Sequence, residues 1–265
     1  MPTLAPTHIG VEILDSPTAD PALVRRMLGD IARANRWFGG VRAMKAGLRV
    51  LQPATTPQRL TMLDVGTGAG DLPLAAREWG RAHGVDIGGV GVERHRAAAR
   101  LSHDNGVPCV VACGSALPFR SAGTRDTEHG TSKDGISARS ASRVPRPDVS
   151  TRVPRHFVDV VLISQLLHHF DDAAAVALIA EAASVARRGV ILADLRPTFG
   201  AATAFRLAGR VMGFHHSTVT DGVVSVARGR SATALAALAS RAGARSPIAR
   251  NLSIARVMVA FRTDH

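Results

Sequence analysis

In TMLDVGTGAGDLPLAAREWG (residues 61–80), three glycines, Gly66, Gly68 and Gly70, fall at alternate positions. Such spacing lets a backbone approach a phosphate or a nucleoside closely before a helix begins. A dinucleotide fingerprint, G-x-G-x-x-G, needs its third glycine where Asp71 stands, and Asp64 lies two residues before the first glycine. Two carboxylates at this loop repel a pyrophosphate and favour a nucleoside that carries positive charge. S-adenosylmethionine, with its ammonium and sulfonium, is such a ligand. No G-K-[ST] follows the glycines, which excludes a Walker phosphate loop. Glu93 ends GVGVE, 23 residues after Gly70. An acid there accepts from ribose hydroxyls, a property the methyl donor shares with nicotinamide cofactors.

Displacement at a sulfonium carbon has a good leaving group, so a protein mainly aligns the nucleophile and excludes water. An oxygen nucleophile also needs a base. His168 and His169 follow FVDVVLIS (157–164) and Asp194 lies near the end of GVILADL (189–195), so the three converge on one crevice as candidate catalytic residues. No metal is expected: adjacent histidines do not both ligate easily, and no third ligand is evident in the sequence. Cys109 and Cys113 give neither a disulfide framework nor a metal quartet and read as reduced, mostly buried thiols.

The elements that position these residues follow from periodicity. Asp20 and Pro21 open a helix whose residues Leu23, Val24, Met27, Leu28, Ile31, Ala34 and Phe38 share one face. A second helix is expected over 41–51. Strands are expected at TMLDVG, GGVGVE, VPCVVAC, FVDVVLIS and GVILADL. Helices between them run to Trp79, from His95 to His103 and from Asp172 to Arg187. Strands alternating with helices predict a doubly wound α/β fold with a mostly parallel sheet. Helices over 198–212 and 231–242 and two closing strands, ARSPIARN and IARVMVAF, complete the pattern. Residues 120–155 are rich in Ser, Arg, Gly, Pro and Thr and poor in large apolar side chains, which predicts a disordered insertion.

Net charge is +12, yet only Lys45 and Lys133 are lysines among 33 basic residues, aromatic residues are 4% and tyrosine is absent. This reads as compositional bias rather than a nucleic-acid surface. No apolar run approaches the roughly 20 residues of a membrane helix, and no secretory signal is visible. A cytoplasmic protein, with a small-molecule partner, is expected as a monomer or homodimer.

The ordered set LDVGTGAG (63–70), VGVE (90–93), LPF (117–119), FVDVVLISQLLHHF (157–170) and RRGVILADLRP (187–197) resembles class I S-adenosylmethionine-dependent methyltransferases. The likeness is to the small-molecule type similar to ubiquinone/menaquinone-biosynthesis methyltransferases. The resemblance implies a seven-stranded Rossmann-like sheet with its last strand antiparallel. It implies an N-terminal helical lid at 1–58 and a methyltransferase domain at 59–265. Gly66, Thr67, Gly68 and Gly70 would meet the methionine part of the cofactor, Asp64 its ammonium, Glu93 its ribose and Arg94 its adenine. Ser164 would line the methionine side. An acid that the family carries before LPF is replaced here by Cys113, Gly114 or Ser115, which leaves the adenine amino group to a backbone amide or the Ser115 hydroxyl. Arg36, Trp37 and Phe38 at the end of the first helix, with His215 and His216, would bind the acceptor. A small, fairly apolar acceptor is expected, such as a phenol, a quinone precursor or a polyketide-like ring, methylated on oxygen or carbon. RNA or protein methylation, or a non-catalytic cofactor-binding fold, are the alternatives.

Overall fold

A computed structural model describes residues 12–16, 18–52, 59–112, 157–253 and 255–263. Cys113, Gly114, Ser115 and the 120–155 segment lie outside the described residues. A short 3-10 turn at Ile13–Asp15 precedes α1 (Pro21–Trp37) and α2 (Gly40–Leu51). Asp20 caps α1 by accepting from the Leu23 amide at 2.7 Å, an arrangement worth about 1 kcal/mol.

The rest alternates strands and helices: β1 (Arg59–Val65), α3 (Asp71–Ala82), β2 (Asp86–Glu93), α4 (Arg96–Asp104), β3 (Cys109–Val111), β4 (Val158–Ser164), α5 (Asp172–Val185) and β5 (Ala186–Leu195). After these come α6 (Ala201–Val211), α7 (His216–Arg228), α8 (Ala232–Arg241), β6 (Ile248–Ser253) and β7 (Arg256–Arg262). The sheet order is β3-β2-β1-β4-β5-β7-β6, and β7 runs antiparallel to both its neighbours. Successive strand residues supply opposite faces. Met62, Val160, Leu162, Ile191 and Met258 join Met44 and Leu48 of α2 and Leu72 and Trp79 of α3. Leu63, Val161, Ile163, Leu192 and Val259 join Ile179 of α5 and Leu235 of α8. That alternation is the period of two expected of a sheet covered on both faces.

Register brings the site together. Val65 pairs with Val92 and Ile163, Ser164 with Ala193, and Leu195 with Arg256. The carboxyl ends of β1, β2, β4 and β5 therefore meet the amino end of β7 along one edge, where ligands of open α/β sheets bind.

Three expectations need correction. The helix expected to reach Arg187 stops at Val185, and β5 begins at Ala186, because Arg187 and Arg188 face Asp159 at 3.3 Å each as part of the sheet edge. The third strand is only Cys109–Val111 among the described residues, and Cys109 is half-buried rather than mostly buried. Helix α7 fills a stretch, His216–Arg228, for which the periodicity predicts no element.

Candidate functional site

The glycine loop turns from β1 into α3 through left-handed backbone at Gly66, Gly68 and Gly70, with φ of 76°, 56° and 77°. A side chain there is strained whatever the space. At Gly70 a Cβ would also lie 2.9 Å from Ser102 Oγ. The Gly66 and Thr67 amides both donate to the Val92 carbonyl, at 2.8 and 3.2 Å, which ties the loop to β2.

Asp64, at 2% exposure, is one of the most buried acids of the chain. Its Oδ2 accepts from Thr67 Oγ1 at 2.9 Å, while Oδ1 has no hydrogen-bond partner. Burial pushes this carboxyl up to about 7, against the Thr67 hydrogen bond and with help from the Asp71 and Glu93 charges. An unsatisfied buried acceptor costs about 1–3 kcal/mol, more when charged. A cationic ligand beside Oδ1 would remove that cost. Ser164 Oγ is likewise buried without a partner at the end of β4. Glu93 accepts from the amides of Arg94 (2.8 Å), His95 (3.0 Å) and Gly68 (3.1 Å). A carboxylate offers about four lone pairs, so in this arrangement one is left for a ribose hydroxyl, not two. Arg94 lies at the cavity wall, with its guanidinium on the Leu14 and Asp15 carbonyls at 3.3 and 2.6 Å.

A second polar group forms around Asn35, near the end of α1. Asn35 donates to Asp71 Oδ2 at 3.0 Å and accepts from Gln165 Nε2 at 2.7 Å and Arg256 at 3.3 Å. Burial draws the Arg256 guanidinium down to about 10, opposed by the nearby Asp194 and Asp71 charges, so it stays cationic at neutral pH. Gln165 holds a left-handed φ of 51°, rare for a residue with a side chain. Strain of this kind, of the order of 1–2 kcal/mol, concentrates at functional positions. Here its amide donates to the Ala193 carbonyl at 2.8 Å and its side chain joins the Asn35 group.

His168 and Asp194 do meet. The His168 Nδ1 lies 2.6 Å from Asp194 Oδ1, and the His168 amide donates to Oδ2 at 3.1 Å. Burial alone raises the Asp194 carboxyl, but the His168 ring and the Leu195 amide outweigh it and hold it below its ordinary value. His169 packs against His168, ring centres 4.2 Å apart. Glu12, which no sequence motif marks, faces both imidazoles at 3.7 Å. It supplies the third potential ligand that the sequence did not reveal. Burial pushes its carboxyl up to about 7, against His169 and a 2.9 Å hydrogen bond from Ser225. The signals for Glu12 are weak, since GVEILDS carries neither a motif nor a period.

These groups line one cavity of about 900 Å³, except Gly70 and Asp194: the expected place of Asp194 on the crevice is corrected, since its side chain is buried behind His168. Arg36, Trp37 and Phe38 line it too: Trp37 is 70% exposed at the mouth, and Phe38 stands edge-on to Phe205 of α6. His215 and His216 do not line it. The His215 side chain caps α7, and its amide donates to Asp30 Oδ2 at 2.7 Å, while His216 is exposed. Their expected place at the acceptor is corrected on that ground: the helix that follows α6 turns them away and presents Thr218, Asp221, Gly222 and Ser225 instead.

No protein-family model and no curated protein matches the sequence. Solved structures do match. A SAM-dependent methyltransferase from Aquifex aeolicus superposes with a TM-score of 0.53 at 12% identity, over 92% of this chain and 98% of that one. Human N-acetylserotonin methyltransferase in complex with SAM gives 0.55 at 14% identity, over 98% of this chain and 61% of the other. A mitomycin 7-O-methyltransferase gives 0.50 at 17% identity, over 95% and 61%. With the strand order and the single antiparallel strand, these likenesses establish that the chain has the Rossmann-like fold of the SAM-dependent methyltransferases.

Proposed function

We propose that this protein transfers a methyl group from S-adenosylmethionine to a small, fairly apolar acceptor of the phenol, quinone-precursor or polyketide-ring type. The ordered sequence motifs that resemble ubiquinone/menaquinone-biosynthesis methyltransferases support an acceptor of this kind. The observation that carries the reading is the orphaned, buried Oδ1 of Asp64 beside a loop of left-handed glycines. Its chemistry suits an ammonium and opposes a phosphate.

When bound, S-adenosylmethionine supplies an electrophilic methyl on a sulfonium. Asp64 and Ser164 would hold the methionine end and Glu93 a ribose hydroxyl. The strand ends fix these three groups before any ligand arrives, so little ordering is needed on binding. Leu28, Ile31, Phe38 and Phe205 present an apolar wall that excludes water and favours a ring over a charged chain. His168 Nε2 would accept the proton of an acceptor hydroxyl. Asp194 fixes the ring by its Nδ1 and stabilises the imidazolium that results. For an acceptor carbon already activated as an enolate or phenolate, the same pair only positions the ring.

Calorimetry of the folded chain with S-adenosylmethionine tests the first half, and absence of saturable heat would refute it. Incubation of a metabolite extract with isotope-labelled donor, read by mass, tests the second: a labelled small aromatic product is expected, and label found only in macromolecules would overturn the acceptor class.

A further inference from the structure

Methyl transfer gives no task to Glu12 or to the Nε2 of His169, yet both are built into the floor of the cavity with unusual care. Each imidazole has a carboxylate behind it. His168 Nδ1 is hydrogen-bonded with Asp194 Oδ1 at 2.6 Å, and His169 Nδ1 lies 3.0 Å from Asp15 Oδ1 without hydrogen-bond alignment. Each Nε2 then looks at one oxygen of a single carboxylate: His168 at Glu12 Oε1 and His169 at Glu12 Oε2, both at 3.7 Å. The three candidate ligand atoms lie within 4.8 Å of one another. His168 is 2% exposed, and its Nε2 has no hydrogen-bond partner. A carboxylate behind each histidine is the arrangement that fixes the tautomer and ring of a metal-bound imidazole.

We propose that Glu12, His168 and His169 bind one transition-metal dication of the zinc type. The distances separate this from a hydrogen-bonded core cluster. A hydrogen bond from imidazole to carboxylate closes to about 2.7–3.2 Å, and neither pair does so. Ligand atoms around a tetrahedral zinc sit about 3.4 Å apart, given bonds of about 2.0–2.1 Å, so Glu12 and the two imidazoles close inward from their present spread of up to 4.8 Å on binding. Two imidazoles and one carboxylate suit zinc, and do not suit magnesium, which prefers oxygen. Glu12 Oε1 also lies 3.6 Å from Arg228. Three protein ligands leave a fourth position open to the cavity, and the metal pins the Ile13–Asp15 turn to the end of β4. Resting on the reading of His168 as base, the metal also occupies the lone pair that would take the acceptor's proton, so zinc inhibits transfer.

The test is titration of the full chain, stripped with a chelator, by zinc chloride alone. One equivalent should bind and raise the melting temperature by about 5–10 °C at a hundredfold excess over Kd, and magnesium should do neither. Glu12→Gln and His169→Asn should each weaken zinc binding at least tenfold with an unchanged circular dichroism spectrum. The X-ray absorption spectrum of zinc on the unaltered chain should show two imidazoles and oxygen. Absence of saturable binding, a Glu12→Gln chain that binds as tightly, or sulfur coordination would overturn the site. In the transfer assay, zinc should slow turnover at least tenfold and chelator should restore it. Zinc bound as described without slowing supports the site and counts against His168 as base; His168-dependent transfer without zinc binding overturns the site and leaves the base in place.

Discussion

Asp64 carries two roles that pull in opposite directions. Its carboxyl is raised to about 7 by burial, so the folded chain favours its protonated form. The stability that this contributes is complete below the ordinary value of 3.8 and is lost as pH rises through about 7. Replacement by asparagine should therefore raise the melting temperature of the ligand-free protein at pH 8 relative to the unaltered chain, which differential scanning calorimetry reads directly. The same replacement should weaken S-adenosylmethionine at least tenfold, since the cation loses its counter-charge. In the unaltered chain that affinity should fall as pH drops below about 7. An affinity flat from pH 5 to 8 would remove Asp64 from the cofactor site. At the other end of the cavity, His168→Gln should lower kcat by about 10² to 10⁴ for a hydroxyl acceptor while leaving cofactor Kd within about threefold. A change confined to KM would instead mark His168 as an acceptor contact.

Among elements, α7 shows what periodicity could not reveal. Its sequence, HSTVTDGVVSVAR, is rich in β-branched residues and contains Gly222, all poor helix formers. The helix is held from outside. Asp30 on α1 accepts from the His215 amide at 2.7 Å, from Thr218 Oγ1 at 3.0 Å and from Arg33. A Cβ on Gly222 would meet the Phe205 ring at 2.3 Å, so α6 and α7 approach closely only because this residue is glycine. Such support comes from residues nearly 190 positions away, and no local pattern encodes it. Glu12 and Arg256 have no local signal for the same reason: each becomes part of the site only through a partner distant in sequence. The strands and the glycine loop were legible because their signals are local, and the strands carry Glu93 and Asp194 to their ends. Asp30→Ala should cost about 2–3 kcal/mol and lower the melting temperature by about 6 °C. Burial raises the Asp30 carboxyl, but the His215 amide, Arg33 and Thr218 outweigh it and the net shift is downward. Its contribution is therefore present above its ordinary value of 3.8 and lost as pH falls through its lower folded value. The stability difference between Asp30→Ala and the unaltered chain should shrink in acid.

At the scale of the molecule, strand order and register bring Asp64, Glu93 and Ser164 to one edge of the sheet. Ligand binding there should stabilise the whole chain. At a hundredfold excess of S-adenosylmethionine over Kd the gain is about 2.7 kcal/mol, a rise of about 5–10 °C in melting temperature. Gly68→Val should abolish the rise, because φ is 56° and its first side-chain atom would already lie 3.1 Å from Leu28 Cδ2. A retained rise would place the ligand elsewhere.

The hydrogen bond between Glu12 and Ser225 joins residues 213 apart, and that between Asn35 and Arg256 joins residues 221 apart. Closing such spans before the intervening sheet has formed is entropically costly. Both walls of the cavity must therefore assemble last. On dilution from denaturant, far-ultraviolet ellipticity should recover first, and the capacity to bind ligand should return in a separate, slower phase.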